Sequence, residues 1–274
     1  KYCYDSLISL LKESELNDTL FVEPSAGSGT FLDAISHSKI GFDLAPTRNK
    51  NHKIHKANFL TDNINSYLSK ETKKNIVFIG NPPFGTKAKL AIEFVNKCLE
   101  YSNIVGFILP IQFRKWSVQS KINKDARLIL DIELPENSFA FMGKDYNVRC
   151  CFQVWALPSF KSSSNDLRLK TKPPTTHDDF EMYQFNRTEE AKKYFDYDWD
   201  FAVYRQGYLD YNFKAYKKED CNMKQQWIFF KAKDKKTLDN LLSLDFDKLS
   251  KKNIGIPGFG KADVVSEYMS KFMI

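Results

Sequence analysis

Asn81-Pro82-Pro83-Phe84 follows directly on the apolar run Ile76-Val77-Phe78-Ile79 and is the stretch best suited to chemistry. The run reads as a buried strand, and the proline pair ends it because proline donates no ladder hydrogen bond. The tetrapeptide then falls at a strand's carboxyl end, where open α/β sheets place their ligands. The prolines stiffen the loop, so the Asn81 side-chain oxygen and the Pro82 carbonyl are held as fixed acceptors while Phe84 offers a flat apolar face. Two acceptors beside an aromatic plate suit a planar group that carries an NH2. So short a motif also serves as a rigid turn over a core edge.

Two further segments carry chemistry of a different kind. Residues 20–23 read as a short strand and run straight into Pro24-Ser25-Ala26-Gly27-Ser28-Gly29-Thr30-Phe31-Leu32. Two glycines separated by one residue, ahead of an apolar helix start, let backbone approach a ligand with no Cβ in the way. The next strand, Ile40-Gly41-Phe42, ends in Asp43, and a carboxylate at that tip can accept from both hydroxyls of a ribose held over the glycine loop. Ala57-Asn58-Phe59-Leu60 reads as a third strand end, with Asn58 either bonding an adenine edge or serving as a turn residue.

These residues need a frame, and the pattern around them supplies one. Leu7, Leu10 and Leu11 mark a helix within residues 1–15, with Asp5 or Ser6 available as its cap. Residues 47–56 read as a polar connection and 67–74 as a solvated helix tail. Residues 88–101 form an amphipathic helix through Leu90, Ile92, Phe94, Val95 and Leu99, and residues 104–109 an apolar strand ended by Pro110. Such alternation predicts an α/β fold with a parallel sheet and helices on both faces. Runs 128–134 and 148–157 have no helical crossover between them and should pair antiparallel. Their connection is longer than a hairpin needs and carries Phe139 and Phe141, which either plug the sheet edge or stack on a second face of whatever Phe84 touches.

The glycine loop with Glu23 and Phe31, then Gly41-Phe42-Asp43, then Asn81-Pro82-Pro83-Phe84, taken in this order, resemble the S-adenosylmethionine-dependent amino methyltransferases. The branch they look most like is the N6-adenine one, in which the cofactor motif precedes the catalytic motif and the target-recognition region lies C-terminal. The resemblance covers roughly residues 20–157. It implies a Rossmann-like seven-stranded sheet whose last strands form an antiparallel hairpin, S-adenosyl-L-methionine as cofactor, and no metal. Carried over residue by residue, it sets Gly27 and Gly29 against the methionine part of the cofactor, Asp43 on the ribose, and Asn58 with Phe59 on the adenine, with Glu23, Pro24, Ser25, Ala26 and Phe31 also among the cofactor-binding residues. Asn81 then belongs to both sites, and Phe84 stacks on a flipped-out base. Aspartate is usual where this sequence has Asn58, so the charge is lost there and only the amide oxygen remains to accept from the adenine amine.

Composition narrows the partner. A chain of 274 residues with a net charge of +7 favours a polyanion, and no window has the length of uncharged apolar sequence that a membrane span requires. The first residue is lysine, which marks a trimmed chain or a fragment, and no signal segment opens it, so a cytoplasmic protein is expected, or a nuclear one in a eukaryote. Cys3, Cys98, Cys150, Cys151 and Cys221 show no CxxC pair and read as reduced thiols, while His37, His52, His55 and His177 fit no ligand spacing and read as surface or loop residues.

The expected domains are a cofactor-binding catalytic region over 1–160, a linker or exposed loop over 161–179, and a smaller α+β substrate-recognition region over 180–274. The last third mixes aromatics with Lys and Arg, a pattern met in β-rich cores and in strand-binding surfaces. Arg205, Lys214, Lys217 and Lys218 are its phosphate-contact candidates. The expected substrate is adenine in DNA, in the manner of a restriction-modification system, with RNA adenosine and protein glutamine as alternatives. Oligomeric state and any partner subunit are left open.

Overall fold

The computed structural model describes residues 1–47, 52–135, 139–141, 144–146, 148–251 and 256–273, of which 139–141 and 144–146 by backbone alone. It divides into two compact units, Lys1–Lys170 and Thr171–Ile274.

The first unit is built on a seven-stranded sheet of order β3-β2-β1-β4-β5-β9-β6. Its strands are β1 (Thr19–Glu23), β2 (Lys39–Asp43), β3 (Ile54–Lys56), β4 (Asn75–Gly80), β5 (Ile104–Pro110), β6 (Arg127–Glu133) and β9 (Cys150–Ala156), with a separate antiparallel ribbon of β7 (Phe139–Phe141) and β8 (Lys144–Tyr146). β3 through β5 pair parallel, and β9 pairs antiparallel to both β5 and β6. The expected seven-stranded sheet with a terminal antiparallel hairpin is therefore present. The third strand, however, is 54–56 and not 57–60. Ile54-His55-Lys56 carries one aliphatic residue and reads as polar, yet the backbone of Gly41, Phe42 and Asp43 gives it a parallel partner on the sheet edge.

Helices α1 (Tyr2–Ile8), α2 (Glu13–Leu16), α3 (Thr30–Asp33), α4 (Asn65–Leu68), α5 (Lys89–Cys98) and α6 (Trp116–Gln119) connect these strands. The expected first helix is thus two short ones. α5 forms because Ala91, Ile92, Phe94, Val95 and Cys98 fall on one face and are buried while Lys89 and Glu93 face water. Phe94 stacks on Phe59 at 5.8 Å, and Phe59 meets Phe78 edge-on at 5.4 Å, so helix, loop and central strand are joined by one aromatic column. Truncating a buried ring of this kind costs about 3–5 kcal/mol. The opposite face of the sheet packs Tyr4, Leu7, Leu32 and Ile35 against Phe21, Val77 and Ile79.

Residues 161–170 are held to the first unit by Arg168. Its guanidinium donates to the carbonyls of Gln119, Ile122, Asn123 and Ala126 at 2.7–2.9 Å. In the second unit β10 (Phe180–Phe185), β11 (Phe201–Gln206) and β12 (Gln226–Ala232) form an antiparallel sheet of order β10-β12-β11. Period-two alternation gives it two apolar faces. Phe180, Met182, Phe201 and Phe230 pack on α7 (Lys235–Leu242), α8 (Phe246–Ser250) and α9 (Lys261–Phe272), while Phe185, Trp227 and Phe229 pack on the 3-10 segment Glu190–Asp196. Among the described residues no helix is long and apolar enough to cross a membrane, and all five cysteines are buried free thiols. His52 and His177 lie in loops as expected but with side chains only 7% and 8% exposed, His177 stacking on Phe180 at 5.0 Å, whereas His55 belongs to the edge strand β3.

Candidate active site

The carboxyl ends of β1, β2 and β4 lie side by side because β1 is flanked by both others in parallel register. That adjacency brings three loops distant in sequence to one edge. A cavity of about 550 Å³ opens there, and its wall includes Pro24, Ser25, Asp43, Asn58, Phe59 and the whole of Asn81-Pro82-Pro83-Phe84. Nine of the residues singled out in the sequence therefore share one cavity. Ala57, Leu44, Leu60, Leu90 and Phe94 complete it and were not singled out as site residues. Leu44 is 64% exposed, a bare apolar side chain beside Asp43 whose role no sequence pattern announces.

Asp43 fastens the glycine loop. Its two carboxylate oxygens accept from the Gly27 and Ala45 backbone N–H groups at 2.8 Å each. Each oxygen keeps a lone pair, enough for the two hydroxyls of a ribose. Gly27 and Gly29 have φ of +53° and +84°, in the left-handed region that a glycine enters at no steric cost. Phe31 instead turns from the loop into the core on the α1 side of the sheet, and Ala26 is buried with it.

Glu23 ends β1 beneath this loop and is 3% exposed. Its Oε2 is buried without a partner among the described residues. Gly80 closes over it so tightly that a Cβ there would lie 2.9 Å from Glu23 Cγ. Burial first, and the neighbouring Asp43 charge second, push the Glu23 carboxyl up to about 8, with the Asn81 backbone hydrogen bond opposing them. Glu23 thus leaves an unpartnered acidic group under the glycine loop, behind the wall of the cavity.

The tetrapeptide is arranged as its composition predicts in part. Asn81 is exposed, Pro82 buried, Pro83 exposed and Phe84 half-buried. Ser25 Oγ donates to the Asn81 carbonyl at 3.3 Å and ties the glycine loop to the catalytic candidate. The Asn81 side-chain amide has no hydrogen-bond partner among the described residues, so its oxygen stands ready as an acceptor. Beyond Phe84 the chain turns sharply. Gly85 has φ +66° with Leu90 Cβ 2.8 Å from where its own Cβ would be, and Lys87 and Ala88 follow at φ +53° and +60°. Two consecutive non-glycine residues in this region store strain, the kind of feature that collects at functional loops.

Asn58 has a dual position. Its Oδ1 accepts the Leu60 N–H at 3.2 Å in a turn, which leaves Nδ2 as the free end of the amide, and its own backbone N–H goes to Asp62 Oδ2 at 2.8 Å. Phe59 is 2% exposed, its ring committed to the aromatic column beneath the cavity. β7 carries Phe139 and Phe141, whose side chains lie outside the described residues.

The four phosphate-contact candidates are placed in the second unit as follows. Arg205 is half-buried, hydrogen-bonded to Gln226, with Nε buried and unpartnered among the described residues. Lys218 pairs with Asp196, Lys214 Nζ lies 5.9 Å over the Phe246 ring, and Lys217 is exposed.

No family model matches the sequence, and no curated protein matches it. Among solved structures the chain is similar to a Pyrococcus horikoshii protein provisionally described as an RNA methyltransferase, at 13% identity and a TM-score of 0.39 over 57% of this chain and 81% of that one. It is also similar to a Streptococcus mutans protein provisionally described as a methyltransferase and solved with S-adenosylhomocysteine, at 13% identity and 0.34 over 57% and 95%. A third likeness, to the M protein of the type I restriction enzyme EcoKI, has 12% identity and 0.36 over 93% and 66%. Scores this low carry no argument about function, which rests on the geometry of the cavity itself.

Proposed function

We propose that the chain is an S-adenosyl-L-methionine-dependent methyltransferase that acts on the N6 amino group of adenine in DNA. The observation that carries this reading is the Asn81 amide oxygen, uncommitted at the carboxyl end of β4, in one cavity with Asp43 and Phe84. The cofactor fits the donor set: Asp43 for the ribose hydroxyls, the unpartnered Glu23 Oε2 for the ammonium, and Gly27 and Gly29 where the methionine chain must pass close to backbone. When bound it supplies an electrophilic methyl group on a sulfonium.

An adenine amine is a poor nucleophile because its lone pair is delocalised into the ring. The Asn81 side-chain oxygen and the Pro82 carbonyl accept its two N–H bonds and favour a nitrogen with the lone pair localised. Phe84 stacks on the extruded base and aligns it with the methyl. With the cofactor bound, the amine held by Asn81 and Pro82 would take the methyl group through its lone pair as the sulfur left with the bonding pair, and the proton would pass from nitrogen to water afterwards. No side chain is required as a strong base.

Radiolabelled cofactor offered to duplex DNA, total RNA and protein, followed by nucleoside and amino-acid analysis, tests the reading. Label in N6-methyladenine of DNA supports it. Label confined to RNA or to glutamine replaces the substrate and keeps the roles of Asn81 and Phe84, and no label in any pool refutes the proposal.

A further inference from the structure

The positive charge is unevenly divided. Residues 1–170 hold 23 Lys and Arg against 17 Asp and Glu, whereas residues 171–274 hold 18 against 17. Cations in both units pair with neighbouring carboxylates, as Lys53 does with Glu71 and Arg114 with Asp131 in the first and Lys218 with Asp196 in the second, so it is the excess of Lys and Arg over Asp and Glu that separates the units. Attraction for a polyanion therefore resides in the first unit.

Within that unit a second cavity of about 410 Å³ lies beside the edge strand β6, away from the candidate active site. Trp116 forms part of its wall, and Lys124, Arg127, Arg168 and Lys170 face it. Of the two carboxylates there, Asp166 is used internally, taking the Leu128 and Arg168 backbone N–H groups and the Lys170 ammonium. Asp125 alone remains to oppose the rest. Arg168 spends its guanidinium on backbone carbonyls and has the Asp166 carboxylate as a charged neighbour, which leaves Arg127 and Lys124 as the cations open to a ligand. Arg127 has a single long contact, 3.4 Å to the Phe160 carbonyl, and Lys124 is exposed. Free guanidinium and ammonium groups next to an indole face suit a sugar-phosphate chain whose bases can stack.

We propose that this groove is a second contact for the nucleic acid, gripping the backbone through Arg127 and Lys124 with a base or sugar against Trp116. This rests on the reading of the substrate as a nucleic acid. Arg127 sits at the opposite end of the sheet from the active site, since it lies across from Ala156, which pairs with Ile104 at the start of β5. Gly80 at the end of β4 pairs with Phe107, so about four residues of rise and the three strand spacings from β4 to β6 give a diagonal of roughly 20 Å. At about 3.4 Å per nucleotide that is some six nucleotides from the reacting base. The groove is thus reached only by substrates longer than the active site needs.

The test is the double variant Lys124→Gln/Arg127→Gln, with binding of fluorescein-labelled 30-base-pair DNA, the corresponding 30-nucleotide RNA, and a 6-nucleotide strand with a central adenine, each measured across salt concentrations. The expected result is about tenfold weaker binding of a long ligand at moderate salt, with the slope of log K against log[salt] reduced by about two, and unchanged affinity for the 6-mer. Cofactor affinity and the thermal midpoint are the folding controls and should match wild type. A variant that keeps both the affinity and the salt slope of wild type for the long ligands overturns the groove and leaves the active-site reading standing. A wild-type protein that binds neither DNA nor RNA overturns both.

Discussion

Glu23→Gln isolates the most unusual electrostatic feature of the molecule. In the unfolded chain this carboxyl ionises near its ordinary 4.5, whereas in the fold burial and Asp43 hold it up to about 8. Below the lower value it is neutral in both states and costs nothing for charge. As pH rises through the interval the unfolded state ionises and the folded state does not, so stability falls by a little over 1 kcal/mol per pH unit, and the loss levels off once the folded group ionises too. At pH 7 the accumulated cost is about 3 kcal/mol. Gln keeps the shape and removes the titration. Urea unfolding of both proteins should therefore give nearly equal stabilities at pH 4.5 and a variant about 3 kcal/mol more stable at pH 7, with other titrating groups cancelling in the difference. A difference that does not change with pH, or a variant less stable at pH 7, would refute the reasoning. The same group predicts proton release: an ammonium set against Oε2 favours the carboxylate, so cofactor binding at pH 7 should liberate close to one proton. Titration calorimetry in buffers of different ionisation enthalpy reads this directly, and Glu23→Gln should abolish it.

Asn81→Ala is expected to lower methyl transfer by about a hundredfold or more with cofactor affinity nearly unchanged, measured by single-turnover transfer beside equilibrium binding. Equal loss of both would remove Asn81 from the acceptor role. Asp43→Ala should weaken cofactor binding and also destabilise the chain by about 1–3 kcal/mol, because the Gly27 and Ala45 N–H groups lose their acceptor. Gly85→Ala places a Cβ 2.8 Å from Leu90 in a left-handed conformation and should cost on the order of 1–3 kcal/mol, read as a fall in the urea midpoint. Arg114→Met should unsettle the end of the β6–β9 hairpin, where the guanidinium bonds Asp131 and Glu133 at 2.7–3.1 Å; a loss of about 2 kcal/mol by denaturation is the expected size for a pair that is partly exposed.

Apolar runs and their punctuation made much of the sheet legible from the chain alone. Ile76-Val77-Phe78-Ile79 before a proline pair, the run ended by Pro110, and the two runs without a crossover between them each became strands in the expected relation, because burial on both faces demands continuous apolar sequence. β3 failed that reading for the converse reason: an edge strand of three residues buries little, and only the exposed backbone of β2 gives it a partner. The tetrapeptide, Asp43 and Asn58 were recognisable as residue types at strand ends, and parallel pairing about β1 then joined them in one cavity. Their partners could not be read in this way. That Glu23 is sealed beneath Gly80, that Asn58 turns its oxygen to Leu60, and that Arg205 bonds the Gln226 side chain depend on which groups from distant or neighbouring segments the fold brings against them. Sequence sets the charge and shape of each side chain. Whether that charge is left for a ligand, cancelled by a neighbour or hidden from water is a property of contacts between distant segments, and only the folded chain decides it.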